Sequence, residues 1–144
     1  LVYLPGGRHG DVDAMVQNID HAPTFLELAG AEVPADIQGE SYLPLLQGKK
    51  PRDWRRSLYY HYYEYPAEHS VCKHYGVRTK RYALIHFYDD IDTWELYDLK
   101  KDPEQMHNID GQPGTEKITK QLREELHRLQ EQYDDPIRFT LSDN

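Results

Sequence analysis

Tyrosine, histidine and arginine side chains are concentrated between residues 59 and 79, and they are the groups of this chain best suited to bind a polar ligand. The run Tyr59-Tyr60-His61-Tyr62-Tyr63-Glu64-Tyr65-Pro66-Ala67-Glu68-His69 is followed by His74-Tyr75-Gly76-Val77-Arg78-Thr79. Phenol rings offer flat apolar faces on which a sugar can stack, and imidazoles hydrogen-bond to hydroxyl or anionic groups. The pattern is therefore typical of a wall that binds a sugar.

The histidines of this pattern have a second interpretation, in which they are only structural. Tyrosine rings also cover half-exposed sheets, and a histidine inside a strand is often a half-buried packing residue. This structural interpretation is favoured for His61 and His86, which fall within predicted strands. For His69 and His74, which lie in or beside the loop that follows Pro66, both interpretations remain open.

Cys72 and the acidic residues near the N-terminus do not form a catalytic or metal site by their pattern. Cys72 is the single cysteine, so it forms no intrachain disulfide, and a structural thiol is its expected role. His9, Asp11 and Asp13 lack the fixed loop that calcium requires. Asp20 is expected to cap a helix. We predict no catalytic residue and no metal ligand within this chain.

Length and charge limit the classes of protein to which the chain can belong. Its 144 residues suffice for a domain with a core, and its net charge of −8 argues against nucleic acid binding. No apolar run approaches the roughly 20 residues that a membrane span needs. The start, Leu1-Val2-Tyr3-Leu4, looks like the end of a buried strand and not like a signal peptide. We therefore expect the chain to be part of a larger protein.

The elements that would position the polar groups fall into two segments. Residues 1–50 contain two short apolar helices, at residues 20–30 and 42–47. Residues 51–144 contain strands expected at 57–65, 71–79, 82–88 and 93–97, and a helix at 115–133 in which apolar residues recur every three or four positions. This order predicts an α+β fold in which a small antiparallel sheet of about four strands packs on a C-terminal helix.

Five segments, taken in order, resemble the C-terminal part of the formylglycine-dependent sulfatases. They are residues 19–30, 38–48, 59–65, 75–82 and 94–109, the last beginning Trp94-Glu95-Leu96-Tyr97-Asp98-Leu99 and turning at Asp102-Pro103. The histidine-rich stretch is most similar to the N-acetylglucosamine-6-sulfatase and heparan endosulfatase branch. Cys72 is not the formylglycine precursor, because no Pro or Arg follows it at the spacing of the C/S-x-P-x-R motif.

The resemblance implies a fold, a reaction and a set of site residues. Residues 1–50 are then a remnant of the alkaline-phosphatase-like α/β catalytic domain, and residues 51–144 form the C-terminal subdomain beside the active-site cleft. The implied reaction is hydrolysis of a sulfate ester, in particular a 6-O-sulfate of N-acetylglucosamine in glycans. The formylglycine and the Ca²⁺ would lie upstream of this chain, so the chain alone is expected to be inactive.

Matching the branch residue by residue places substrate contacts at His69 and His74, with Arg78 and Tyr65 as further candidates. The implied partners are a sulfated glycan and the N-terminal catalytic domain, and the implied location is the periplasm or the outside of the cell. Three alternatives stay open. They are a phosphodiesterase or phosphonate hydrolase of the alkaline phosphatase superfamily, a non-catalytic glycan-binding module, and a structural remnant without a site.

Overall fold

The chain divides into two compact units between Arg56 and Ser57. The first unit contains short helices. In this computed structural model, which describes residues 2–7, 9–89 and 91–141, a 3₁₀ turn Asn18–Asp20 leads into α1 (His21–Leu28), and α2 spans Leu43–Leu46. Gly30, with φ at 69°, and Gly48, with φ at 77°, follow α1 and α2 in the left-handed conformation that glycine adopts without strain. Both predicted helices are thus confirmed, and each is shorter than expected.

The Asp20 side chain is buried in an ion pair and does not cap α1, so the prediction of a side-chain cap was wrong. Its carboxylate accepts the N–H groups of Gln17 at 2.7 Å and Glu40 at 2.9 Å and pairs with Arg55 at 2.8 Å. A buried carboxylate needs several donors to replace water, and these partners come from segments before and after the helix.

A four-stranded antiparallel sheet forms the second unit, in the order β1-β2-β3-β4. Its strands are β1 (Ser57–Tyr62), β2 (His74–Thr79), β3 (Tyr82–Phe87) and β4 (Thr93–Asp98). Consecutive strands are neighbours, so the chain runs up and down as a meander with a two-residue turn between β2 and β3. The predicted α+β architecture is confirmed, although β1 ends three residues and β2 begins three residues inside their predicted bounds, which leaves Tyr65 in a loop.

Helix α3 (Glu116–Gln132) packs on one face of this sheet. Side chains alternate across a strand, so this face carries Val77, Leu84 and Leu96 together with the larger ring of Tyr75. The helix contributes a stripe at three- and four-residue spacing. The core it completes consists of Tyr75, Val77, Leu84, Leu96, Leu122, Leu126 and Leu129. The opposite face is called the open face below, because α3 does not cover it.

The free edge of β4 is closed by the segment that follows it. Asn108 accepts the N–H of Leu96 at 2.9 Å and donates to the carbonyl of Trp94 at 3.0 Å, and the N–H of Ile109 bonds to the carbonyl of Leu96 at 2.9 Å. An amide side chain can imitate a peptide group because it carries one acceptor and donors. The most recognisable motif of the sequence therefore serves to finish the sheet, and its polar residues bind backbone.

Candidate functional site

The ring of His74 lies at the start of β2, on the open face, among three aromatic rings. It stacks on Tyr62 with ring centres 5.5 Å apart and an interplanar angle of 25°, and it meets the edge of Tyr60 at 5.9 Å. Phe87 of β3 lies 5.1 Å from it. Tyr62 and Phe87 are the cross-strand partners of His74 in the register, so strand pairing itself puts these rings together.

A hydrogen bond to the main chain holds the His74 ring at Nδ1. His74 Nδ1 lies 2.8 Å from the carbonyl oxygen of Cys72, two residues earlier. The main chain of Cys72 thus orients the neighbouring imidazole, and the Cys72 thiol is free and half-buried. The ring of His74 is half-buried.

Arg78 lies on the same face as His74, four residues further along β2, and its side chain is exposed. Between them Gly76 provides the space for the Tyr60 ring, since a Cβ on Gly76 would come within 2.6 Å of the Tyr60 hydroxyl. Burial raises the pKa of Tyr60 to about 12, and the nearby charge of Arg78 opposes this rise. Two of the four predicted site residues, His74 and Arg78, are thus brought onto one face with Tyr60 between them.

His69 and Tyr65 lie elsewhere, in the loop at residues 63–73 that joins β1 to β2. His69 is exposed and Tyr65 is half-buried. The loop begins and ends at the end of the sheet where Tyr62 and His74 pair, so it projects from the same end as the His74 ring. No contact of His69 with another predicted site residue is present within the described part of the chain.

His61 and His86 point to the opposite face, toward α3, and both are held in hydrogen-bond networks. His61 bonds to Asp135 at 2.7 Å and to the Tyr88 hydroxyl at 2.6 Å, while Tyr59 donates to the same carboxylate at 2.5 Å. Burial acts to raise the pKa of Asp135, but the hydrogen bonds from Tyr59, from the Ile137 N–H and from His61 outweigh it and hold this pKa below its usual range. The structural interpretation of His61 is supported.

His86 is enclosed in the same way. Its nitrogens bond to the Tyr75 hydroxyl at 2.7 Å and to Asp92 at 2.9 Å, and its ring stacks on Trp94 at 4.1 Å. Burial lowers the pKa of His86, because the charged ring would lose its hydration, although Asp92 opposes this. His86 therefore acts as a packing residue with satisfied nitrogens.

Sequence reasoning missed Tyr60, Tyr62 and Phe87 as neighbours of the His74 ring. The signal was available in part, because Tyr60 and Tyr62 alternate along β1 and must share a face. What was missing was the register between β1 and β2, which decides that Tyr62 faces His74.

The described residues contain no group of three or more His, Cys, Asp or Glu side chains that could hold a metal ion. His9, Asp11 and Asp13 are exposed near the start of the chain. No helix within the described part of the chain is long and apolar enough to cross a membrane.

The second unit is thus a four-stranded meander backed by one helix, with His74 and Arg78 on its open face. The family model described as N-sulphoglucosamine sulphohydrolase, C-terminal, matches residues 1–132. The chain belongs to this sulfatase family, and it corresponds to the C-terminal part of its members.

Individual relatives agree with this assignment. The chain is 57% identical over 124 residues to N-acetylglucosamine-6-O-sulfatase of Bacteroides thetaiotaomicron, a match that covers 85% of this chain and 22% of that protein. The solved structure of BT4656 in complex with its substrate D-glucosamine-2-N,6-O-disulfate matches with a TM-score of 0.78 and 57% identity over 81% of this chain and 24% of that one. The phosphonate monoester hydrolase of Silicibacter pomeroyi matches with a TM-score of 0.78 and 26% identity over 97% of this chain and 29% of that one. The chain thus spans about a quarter of the length of these proteins.

Proposed function

We propose that this chain is the substrate-binding C-terminal part of a sulfatase that hydrolyses the 6-O-sulfate of N-acetylglucosamine in glycans. The 57% identity to an N-acetylglucosamine-6-O-sulfatase, over 85% of this chain, is the observation that carries the proposal. The aromatic and basic character of the open face and its loop suits a sugar ligand, since flat rings stack on sugars and hydrogen-bonding groups orient them.

In this proposal the chain binds and orients the sugar, and the bond is broken by groups outside it. His74 and Arg78 on the open face, with His69 and Tyr65 in the adjoining loop, contact the glycan. The formylglycine nucleophile belongs to the preceding catalytic domain, to which residues 1–50 contribute. Calcium does not fit the described residues, which offer no ligand cluster, so the Ca²⁺ implied by the family is also assigned to that domain. Export to the periplasm or secretion is part of the same proposal.

The exposed side of α1 supports a continuation of the polypeptide around this unit. Thr24 and Pro23 are the buried residues of helix α1, which leaves Phe25 63% and Leu28 44% exposed. Large apolar side chains exposed on one side of a helix are expected where a second apolar surface covers that side.

The experiment uses the full-length protein that carries this chain. We expect His69→Ala and His74→Ala to lower kcat/KM for 6-sulfated N-acetylglucosamine about tenfold each, as loss of one polar contact does, and to leave a small aryl sulfate nearly unchanged. His107→Ala is the matched control, because His107 is 84% exposed and lies on neither the open face nor its loop. Equal losses on both substrates would remove His69 and His74 from the sugar site.

A second candidate activity is hydrolysis of phosphonate or phosphate esters. The match to the phosphonate monoester hydrolase covers 97% of this chain, more than the match to the sulfatase complex covers. Assay of the wild-type protein on a sulfate ester, a phosphonate monoester and a phosphodiester with the same aryl leaving group decides between them. A kcat/KM that favours the phosphorus esters would overturn the sulfatase proposal.

A further inference from the structure

The tautomer of His74 can be read from its hydrogen bond to the main chain. A carbonyl oxygen has no hydrogen to donate, so the 2.8 Å contact between His74 Nδ1 and the Cys72 carbonyl requires the hydrogen to be on Nδ1. In the neutral ring, Nε2 then carries a lone pair and can only accept. Within the described residues Nε2 of His74 makes no hydrogen bond, so this acceptor is available to a ligand.

The neighbours of the His74 ring are aromatic and not acidic. Its ring neighbours are Tyr60, Tyr62 and Phe87, and within the described part of the chain no carboxylate lies at ion-pair distance from it. His61 and His86 differ, because each contacts a carboxylate directly, Asp135 at 2.7 Å and Asp92 at 2.9 Å. The His74 ring is thus held by a main-chain carbonyl and by aromatic rings, and not by an ion pair.

The stack on Tyr62 fixes the plane of the His74 ring, and the bond to the Cys72 carbonyl fixes its rotation within that plane. The two rings are 5.5 Å apart at 25°, and the Tyr62 hydroxyl is buried without a hydrogen-bond partner among the described residues. The contribution of Tyr62 at this position therefore comes from its ring and not from its hydroxyl group.

We propose that His74 is a hydrogen-bond acceptor for an uncharged O–H or N–H donor of the sugar, and not a ligand of the sulfate, with Tyr62 as its positioning residue. This inference rests on the proposed function, because it assumes that the open face contacts the glycan. The donor is a ring hydroxyl or the N–H on carbon 2, and both present the same chemistry to Nε2.

The test measures binding of N-acetylglucosamine, the desulfated sugar, to the full-length protein by calorimetry. In the wild type, the analogue that lacks the recognised donor should bind roughly 5- to 10-fold more weakly, as expected for one neutral hydrogen bond. The 3-deoxy and 4-deoxy analogues test the hydroxyls, and 2-deoxyglucose, which has no donor on carbon 2, tests the N–H. His74→Ala should weaken binding of N-acetylglucosamine by the same factor. It should not weaken binding of the analogue that lacks the recognised donor any further, because the His74 ring and that donor are hydrogen-bond partners.

Further variants separate the acceptor and positioning roles from a structural one. His74→Gln, whose amide oxygen can replace the acceptor, should recover part of the binding, whereas Tyr62→Phe should match the wild type and Tyr62→Leu should weaken binding several-fold. In turnover of the sulfated sugar, Tyr62→Leu should raise KM with kcat retained. His107→Ala should change nothing.

Each contrary result has a defined meaning. If His74→Ala weakens inhibition by inorganic sulfate and leaves N-acetylglucosamine binding intact, His74 is an anion ligand and the inference is wrong. The inference is also wrong if the loss of affinity caused by His74→Ala adds to the loss caused by every analogue. Absence of N-acetylglucosamine binding to the wild type would overturn it as well. A wild type that binds the sugar as described but hydrolyses no sulfate ester would refute the proposed reaction while the inference on His74 stands.

Discussion

The Asp20 carboxylate and the Arg55 guanidinium form a paired contact, with Nη1 and Nη2 each 2.8 Å from one carboxylate oxygen. Asp20 is fully buried and Arg55 is 12% exposed at its side chain. The pair joins the start of α1 to the segment just before β1, 35 residues later. Two parallel N–H···O bonds fix both distance and orientation.

Replacing Asp20 by Ala should be among the most destabilising single changes in the first unit. The largely buried Arg55 charge would lose both of its short contacts and keep the longer one to the half-exposed Glu40. The N–H groups of Gln17 and Glu40 would lose their acceptor. We expect a loss of about 3–5 kcal/mol in the free energy of unfolding, measured in urea. Glu40→Gln is the control, because Glu40 lies 3.5 Å from Arg55 and is half exposed; its cost should stay below about 1 kcal/mol. Similar losses for the two variants would contradict this account.

The Asp135 carboxylate should give the second unit a stability that declines in acid. Its pKa is lowered in the folded protein, since the hydrogen bonds from Tyr59, Ile137 and His61 outweigh the opposing effect of burial. A group with a depressed folded pKa contributes its full stabilisation above its unfolded pKa, about 3.9 for Asp, and loses it as pH falls through the folded value.

The check is the free energy of unfolding of the wild type and of Asp135→Asn between pH 7 and pH 2. Asp135→Asn should be less stable at pH 7, and the difference should shrink as the pH falls below the ordinary carboxyl range. A difference that stays constant over this range would show that the Asp135 charge does not contribute.

Asn108 should contribute to stability through its amide group and not through its size. It bonds to the backbone of both Trp94 and Leu96, at 3.0 Å and 2.9 Å, along the edge of β4. Asn108→Ala should cost about 1–3 kcal/mol. Asn108→Asp keeps the acceptor for the Leu96 N–H but loses the donor to the Trp94 carbonyl. Its stability should therefore lie between that of the wild type and that of Asn108→Ala. Thermal unfolding at pH 7 ranks the three proteins, and an Asp variant no better than Ala would be unexpected.

Gly76 should tolerate no side chain. A Cβ there would lie 2.6 Å from the Tyr60 hydroxyl and 2.7 Å from the Leu84 carbonyl oxygen. The first obstacle is the end of a side chain and the second is backbone, so Gly76→Ala should destabilise the sheet by about 1–3 kcal/mol. Combining it with Tyr60→Leu should restore only part of this loss. Full recovery in the double variant, measured by urea unfolding, would show that the backbone contact is unimportant.

Local patterns were sufficient to predict the existence and type of nearly every element. The three- and four-residue recurrence of Leu122, Leu126 and Leu129 identifies the long helix, and the alternation along β3 identifies a strand with one core side. These are properties of neighbouring residues, which is why they can be recognised without the fold. The strand ends were less certain, and Tyr65 was placed in a strand that ends at Tyr62.

The amino-acid sequence by itself determined the family, the α+β order of elements and the histidines worth testing, because motif spacing and periodicity are local. Only the tertiary structure decided that Asp20 faces Arg55 instead of capping α1, and that His74 lies against Tyr62 while His61 and His86 turn toward α3. These choices depend on strand register and on partners up to 74 residues apart. A register shift of one residue would exchange the two faces of the sheet, so no local pattern contains this information.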